Sequence, residues 1–572
     1  MSSFFVRVRS SQNVDSTQAS AALLYSNRRM TFSFEGHRFW LIPRNIVLLG
    51  GILVLGAVLR FNNVTQPFTD AFSWRQASTA MMASNFYHRS WNIFYPEVSW
   101  TGSDPGYQGR EFQTVTYIAA LFYMLVGEHD WIGRSLATLF GLWGIFALYQ
   151  LVRRVWDEER ALCSAAVMAL LPSSIFIDRS FLPDPAMVAL MTTSVWMLIA
   201  YLQTERLSCL LLSGVIGAWG LLTKLPALTV GFAMIYATLT ILHVRSRLNS
   251  RTLAIISLVA LLALFPAVAY YLWALHLAHS YPPYHLAGEG NWLWDDGLRR
   301  WLDKKYFLPL LSWHFNYWVW TQPVIVLVAF GTILPFCGFG PPEHSQDFAS
   351  GRNAAAKAPW LFHYWLLGGV FYYVIGAKEL MSNGWNFQII NPPAAALAGH
   401  AIITIASFIA KITPISVKSL LKVAIIASSL ATIAVLGTKR LRLLYYPFSE
   451  QGYELGLALR QVSQPRDLVV TIANDLGNPI VIYYSQRRGW PFPPPTPSRD
   501  FVELAADDRE SIQMFEELRA KGAAWLGIVA AQQGVLRREH PLLLAHFERT
   551  CPLYRRDPKW HIYSIIPGDK KN

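Results

Sequence analysis

Charge and cysteine are both scarce in this sequence. Asp, Glu, Lys and Arg make up 15% of its 572 residues, against about 25% in an ordinary soluble chain. A chain so poor in charge is neither an intrinsically disordered protein nor a long coiled coil, since both depend on charged surface. Four cysteines, Cys163, Cys209, Cys337 and Cys551, are too few and too scattered for a disulfide framework or a zinc ribbon. Three of them lie in apolar runs, where a buried free thiol is the ordinary outcome. What is abundant is apolar: 53% of residues are hydrophobic, with 22 Trp and 25 Tyr. These proportions describe a polytopic membrane protein.

The net charge of +13 accompanies no nucleic-acid motif. Basic excess is what a membrane protein gains from positive cytoplasmic loops and anionic head groups. The first 45 residues are basic and Ser-rich, with Arg7, Arg9, Arg28, Arg29, Arg38 and Arg44. No apolar run with a small-residue cleavage site follows closely, so the segment reads as a cytoplasmic tail.

A helix needs about 20 mostly apolar residues to cross the hydrocarbon core. Eleven such runs occur near 46–61, 134–152, 160–177, 187–203, 207–222, 225–242, 252–272, 318–338, 359–377, 389–409 and 419–437. With the N-terminus inside, Arg153, Arg154, Arg160, Arg206, Arg245, Arg247, Arg251, Arg352, Lys357, Lys411 and Lys418 all fall in cytoplasmic loops, as the positive-inside rule requires. That works only if the shorter run 113–127, interrupted by Thr114, Thr116 and Tyr117, lies along the outer interface. Lys439, Arg440 and Arg442 are the exception, falling on the outer side. The expected organisation is a basic tail (1–45), an α-helical polytopic membrane domain with interfacial helices (46–445), and a small extracytoplasmic α/β domain (446–572). In that last part 467–473, 480–484, 524–529 and 560–565 read as strands, the final one at an edge, and 507–521 reads as a charged helix.

Polar residues crowded at one membrane face are the first place to look for chemistry. The first outer loop carries Thr69-Asp70-Ala71-Phe72-Ser73-Trp74-Arg75-Gln76 and Gly109-Arg110-Glu111-Phe112. The second carries Asp178-Arg179-Ser180-Phe181-Leu182-Pro183-Asp184, and the third Thr223-Lys224. Each has a plainer reading. Asp70 and Asp184 suit helix capping, Lys224 suits snorkelling, and Arg75 and Arg110 suit lipid phosphates without catalysis.

Taken in order, these segments resemble the GT-C class of membrane glycosyltransferases, in the branch of the protein O-mannosyltransferases and the lipid A aminoarabinose transferase. The resemblance covers about residues 46–272. The segment 179–184 is similar to the family's second acidic motif, 109–112 to the segment that helps hold the lipid phosphate, and Thr223-Lys224 to its Thr-Lys turn. Relatives often carry two acidic residues in tandem where Asp70 is followed by Ala71, and a Lys beside the Glu where Arg110 and Phe112 stand.

The resemblance implies a sugar donor linked to polyprenyl phosphate and used at the extracytoplasmic face, with a glycan, lipid or protein acceptor. Glycosyl transfer needs a base for the acceptor hydroxyl and cations for the departing phosphate. Asp70 is the candidate base, and attack opposite the phosphate inverts the anomeric centre. Arg75, Arg110, Lys224 and Arg179 are candidates for the phosphate, Arg as a planar fork and Lys as a point charge. Asp184 either orients the acceptor, fixes one of these cations, or forms a structural ion pair with Arg179. Glu111 and His285 are candidates for a divalent metal. Rival readings are a lipid-linked saccharide transporter, disfavoured by the lack of internal repeats, and a non-catalytic subunit on the same scaffold. Nothing resembling a glycine-rich nucleotide loop occurs in the C-terminal part, which fits a lipid-linked donor.

Overall fold

The structure is a computed structural model that describes residues 33–34, 37–38, 43–282, 297–340, 357–377, 383–494 and 504–565. Contacts divide the chain into two units, Met1–Gly51 and Ile52–Asn572. In the first, Ser33–Phe34 pairs antiparallel with His37–Arg38. The second contains nearly all the helices and a five-stranded sheet.

Each apolar run lies on helical structure. Among the described residues, seven helices are long and apolar enough to cross a membrane, or nine if each of two bent pairs is one span. The runs 207–222 and 359–377 form the shorter helices Leu207–Thr223 and Leu361–Ile375. Two runs read as single spans are broken. The first divides into Glu158–Leu170 and Pro172–Arg179 at 63°. Proline disfavours helix in the residue before it and starts a new one well; Leu171 is accordingly extended and Pro172 opens the second helix. The second break, 107°, separates Lys304–Val319 from the helix that starts at Gln322, where Pro323 occupies the first turn.

Polar contacts sort the loops into two groups. Arg154 with Gln203, Arg245 with Leu202 O, Trp156 with Pro359 O, Arg160 with His400 and Lys422 with Glu159 mark one end of the bundle. The other end gathers residues 63–76, 108–114, 178–184, 222–226, 383–391 and 445–449. Helix Thr114–Val126 does not cross between them. Its first residue bonds Thr223 at 2.8 Å, and four residues beyond its end Asp130 meets the same polar end.

The C-terminal sheet consists of β1 (Leu468–Ile472), β2 (Arg488–Pro491), β3 (Ala523–Val529), β4 (Leu553–Asp557) and β5 (Trp560–Ser564), in the order β2-β1-β3-β5-β4. The first three are parallel and the last two antiparallel. Two expectations need correction. The run 480–484 is helical, Ile480–Ser485. Pro479 precedes it and Asn478 Oδ1 accepts from Ile480 N, so the chain turns into a helix whose apolar side chains pack against Ala77, Met81 and Met82 as well as the sheet. Strand 560–564 is also not an edge: β4 lies outside it, its Arg555, Arg556 and Asp557 masking any strand pattern.

The C-terminal part is fastened to the polar end at several places, one of them Asn478 Nδ2 donating to Ser73 Oγ at 2.9 Å. Tyr483 and Tyr484 both donate to the Asp130 carboxylate, at 2.8 and 2.5 Å. At the edge strand β2, Gly102 N donates to Gly489 O and Gly489 N to Ser99 O, so the first loop extends the sheet. Arg488 locks this join through Glu97, Gly102 O and Thr101. Asp130→Ala leaves two buried hydroxyls without an acceptor, each costing about 1–3 kcal/mol. We expect faster hydrogen exchange across 480–485 in that variant, while exchange in helix Asp184–Thr204 stays as in the wild type.

Candidate active site

The polar end is built from short irregular segments held between apolar helices. Phe72 initiates helix Ser73–His88 with φ +63°, a left-handed conformation that is strained for a bulky residue. Its ring is fixed by Trp385 at 4.9 Å, Phe176 at 6.1 Å and Trp318 at 6.4 Å, which keeps the chain in that turn. Asp70 does not cap this helix; its side chain points elsewhere.

Asp70 is one of two clusters' central groups. Its Oδ1 accepts from Gln76 at 2.8 Å and Arg134 at 3.2 Å, and its Oδ2 from Arg134 at 3.1 Å and Arg179 at 2.7 Å. The side chains of Asp70, Arg134 and Arg179 are all fully buried. Both arginines also hold loop carbonyls, Arg134 that of Pro67 and Arg179 that of Asn63. Burial pushes the Asp70 carboxyl above the usual carboxylate range, against the pull of Arg134 and the Gln76 amide.

The second cluster joins Arg75, Glu111, Asp184 and Lys224. Arg75 Nη2 donates to Glu111, and Lys224 Nζ donates to Asp184 Oδ1 at 2.7 Å and to Asn386 Oδ1 at 3.3 Å. Arg75 and Glu111 lie close enough to act on the charge of Asp184. Loop 108–114 is pinned by Phe112 N to Leu222 O, Tyr270 Oη to Glu111 O and Thr114 to Thr223. Arg110, beside Glu111, donates through Nε to Gln108. Among the described residues, Arg75 Nη1, Arg110 Nη2 and Asp184 Oδ2 are buried polar atoms without a partner. Two unused guanidinium nitrogens, one unused carboxylate oxygen and an ammonium are a donor set for an anion beside a proton acceptor.

The two clusters share segments. Arg75 and Gln76 are neighbours that face different clusters, and the 179–184 loop gives Arg179 to one and Asp184 to the other. The alternative pairing of Asp184 with Arg179 is therefore not the one formed, and Lys224 is an ion-pair partner rather than a snorkelling lysine. A third buried group, Arg60–Asp178 at 2.9 Å with Ser174 and Gln388, supports the same loop from behind.

Asp70 and Arg179 thus belong to one cluster, Arg75, Glu111, Asp184 and Lys224 to the other, and Arg110 adjoins Glu111. His285 lies outside the described residues. Among the described residues no three His, Cys, Asp or Glu side chains gather as a metal centre. Glu111 is already bonded to Arg75, so the donor set here does not fit a divalent cation. Arg134 was not singled out in the sequence, and Gln76 and Asn386 stood in segments singled out there without a role of their own. An arginine at the start of the apolar run 134–152, one turn into helix Asp130–Val155, is the signal that marks the first of these.

The family described as dolichyl-phosphate-mannose-protein mannosyltransferase matches residues 114–271. No curated protein sequence matches the chain. Solved structures similar to it include ArnT from Cupriavidus metallidurans bound to undecaprenyl phosphate, at 13% identity and TM-score 0.56, covering 91% of this chain and 98% of that one. The archaeal oligosaccharyltransferase AglB from Archaeoglobus fulgidus, in complex with an inhibitory peptide and a dolichol-phosphate, is similar at 10% identity and TM-score 0.54, over 88% and 71%. The arabinofuranosyltransferase AftD from Mycobacteria is similar at 14% identity and TM-score 0.52, over 95% and 41%. The chain has the membrane fold of the GT-C glycosyltransferases, as its motifs lead one to expect.

Removing one partner from a buried ion pair costs about 3–5 kcal/mol, because the other charge stays buried. Asp70→Asn is expected to lower the thermal unfolding temperature in detergent clearly, and more than Glu111→Gln does. Equal unfolding temperatures for Asp70→Asn and wild type would show that the two arginines do not depend on this carboxylate.

Proposed function

We propose that the protein is an integral membrane glycosyltransferase that moves a sugar from a polyprenyl-phosphate-linked donor to an acceptor hydroxyl. The observation that carries this reading is the meeting of Arg75, Lys224, Glu111 and Asp184, with buried unused donors, where irregular segments close one end of an apolar bundle. A lipid phosphate suits that place, because its chain needs hydrocarbon and its head needs cations. Relatives of this fold bound to undecaprenyl phosphate and dolichol-phosphate support the same donor class. The distribution of basic loops supports an extracytoplasmic site and a cytoplasmic N-terminus.

The geometry supports the following division of labour. Arg75 and Lys224, with Arg110 alongside, bind the donor phosphate. In the resting site Lys224 is held by Asp184; an arriving phosphate competes for the ammonium and frees the carboxylate. The acceptor hydroxyl then attacks the anomeric carbon from the side opposite the phosphate. Its proton passes to Asp184, the new glycosidic bond forms, and the bond to the phosphate oxygen breaks, inverting the centre. Glu111 keeps the Arg75 guanidinium in its plane. Asp70, the base expected from the sequence, has its acceptor directions filled by Gln76, Arg134 and Arg179. We assign it, with Arg179, to positioning the two loops.

Purified protein given a polyprenyl-phosphate sugar and a hydroxyl acceptor is expected to release polyprenyl phosphate and form an inverted glycoside, read by NMR. Asp184→Asn should lower turnover by about 10²–10⁴-fold while donor binding persists, and Lys224→Ala should weaken donor binding itself. Wild-type turnover by Asp184→Asn would remove it as base, and a retained anomeric configuration would exclude the direct displacement.

A further inference from the structure

Lys439, Arg440 and Arg442 lie where the positive-inside rule does not expect them, and the site described above does not use them. They occupy the last turn and a half of helix Lys418–Leu444. This helix packs on its neighbours along one side and is open on the other, with 11% of its most apolar window buried. Leu420, Val423, Val435 and Leu443 are exposed along it. Its C-terminal end belongs to the polar end of the bundle: Leu444 O accepts from Ala71 N, and Tyr445 O accepts from Gln66. The three cations therefore sit at the rim of a hydrocarbon-facing surface, at the end where the two clusters lie.

No acidic side chain among the described residues pairs with any of the three. Arg440 instead places its guanidinium carbon over the Tyr317 ring, 3.7 Å from the centroid, a cation–π contact that holds the group and leaves its charge without a carboxylate partner. Tyr317, Trp318, Lys439, Arg440, Leu443 and Leu444 enclose a recess. Below the helix end Tyr446 and Phe448 are exposed and stack edge to face, in the manner of aromatic side chains at a membrane interface. Uncompensated cations, an aromatic wall and an adjoining apolar helix face complement a molecule that has an anionic head and hydrocarbon tails.

We propose that Lys439 and Arg440, which line the recess, with Arg442 one turn beyond Lys439 on the same helix, form a binding site for the phosphate headgroup of an anionic membrane phospholipid. The recess takes the headgroup, and the acyl chains lie along the exposed face of Lys418–Leu444. The recess shares Trp318 and Leu444 with a second, smaller cavity bounded by Phe72, Ser173, Phe176, Ile177 and Gly384. A lipid seated there braces the left-handed turn at Phe72, two residues from Asp70. This site is separate from the donor site and does not rest on the proposed reaction.

The test is native mass spectrometry of the full chain carrying phosphatidylglycerol or phosphatidylcholine. Wild type is expected to retain phosphatidylglycerol preferentially, and Arg440→Gln and the triple variant Lys439→Gln/Arg440→Gln/Arg442→Gln to lose it by about fivefold per cation removed. Lys418→Gln, at the opposite end of the same helix, should retain it as wild type does. Equal retention of the two lipids by wild type, or undiminished retention by Arg440→Gln, would overturn the site. Displacement of the lipid by millimolar inorganic phosphate would make it a free-anion site instead. If the cation variants lose undecaprenyl phosphate in place of phosphatidylglycerol, the residues belong to the donor site and the proposal fails. Should the triple variant not fold, Arg440→Gln alone decides.

Discussion

A carboxylate with no exposure to solvent, gripped by two equally buried arginines, is the contact on which the polar end of this molecule depends. Asp70 draws Arg134 from one helix and Arg179 from the last position of a broken one. A buried charge is tolerated only when it is paired and hydrogen-bonded, and here four N–H contacts from three side chains meet the carboxylate. Each arginine also holds one backbone carbonyl, Arg179 that of Asn63 and Arg134 that of Pro67. One ion triad thereby fixes the start of the first loop, the start of helix Asp130–Val155 and the loop leading to Asp184. The second cluster inherits its geometry from that arrangement, because Arg75 and Asp184 are each only a few residues from a member of the triad.

The separation of roles follows from solvation more than from residue type. Asp70 and Asp184 are both aspartates at the polar end, and both are buried. One has all its acceptor directions filled by rigid guanidinium and amide groups. The other shares a single flexible lysine and keeps an oxygen unpartnered. Lysine, a mobile point charge, can be drawn to a second anion at little structural cost, whereas a bidentate arginine cannot. Equivalent side chains are thus divided into one held on every side and one held by a single mobile cation.

Hydrophobic runs made the helices legible in the sequence, and the ordered polar segments made Arg75, Glu111, Asp184 and Lys224 legible as a set. Their pairing was not. Arg179 and Lys224 both lie near carboxylates, and spacing alone does not reveal that they exchange the partners one would guess. Arg134 was hidden because an arginine at the margin of an apolar run passes for an ordinary interfacial residue. The breaks at Leu171–Pro172 and before Gln322 were visible as prolines, but hydropathy averaged over 20 residues runs across them. In the C-terminal part, β-branched and aromatic residues at 480–484 suggest a strand; Asn478 and Pro479 decided for a helix, because burial on several sides removes the need for any periodicity.

The join between Ser99–Gly102 and Gly489 also bears on how the chain is assembled. Residues that guard the first loop are separated from the strand that completes them by nearly four hundred positions, as Arg488 with Gly102 shows at a separation of 386. During synthesis that loop must wait, unpaired, until almost the whole bundle has been inserted and the sheet's second strand has emerged. Long-range closure of this kind is slow and comes late. A segment made late is therefore the latch for one made early, and the first loop gains its strand partner only after most of the helices have been made.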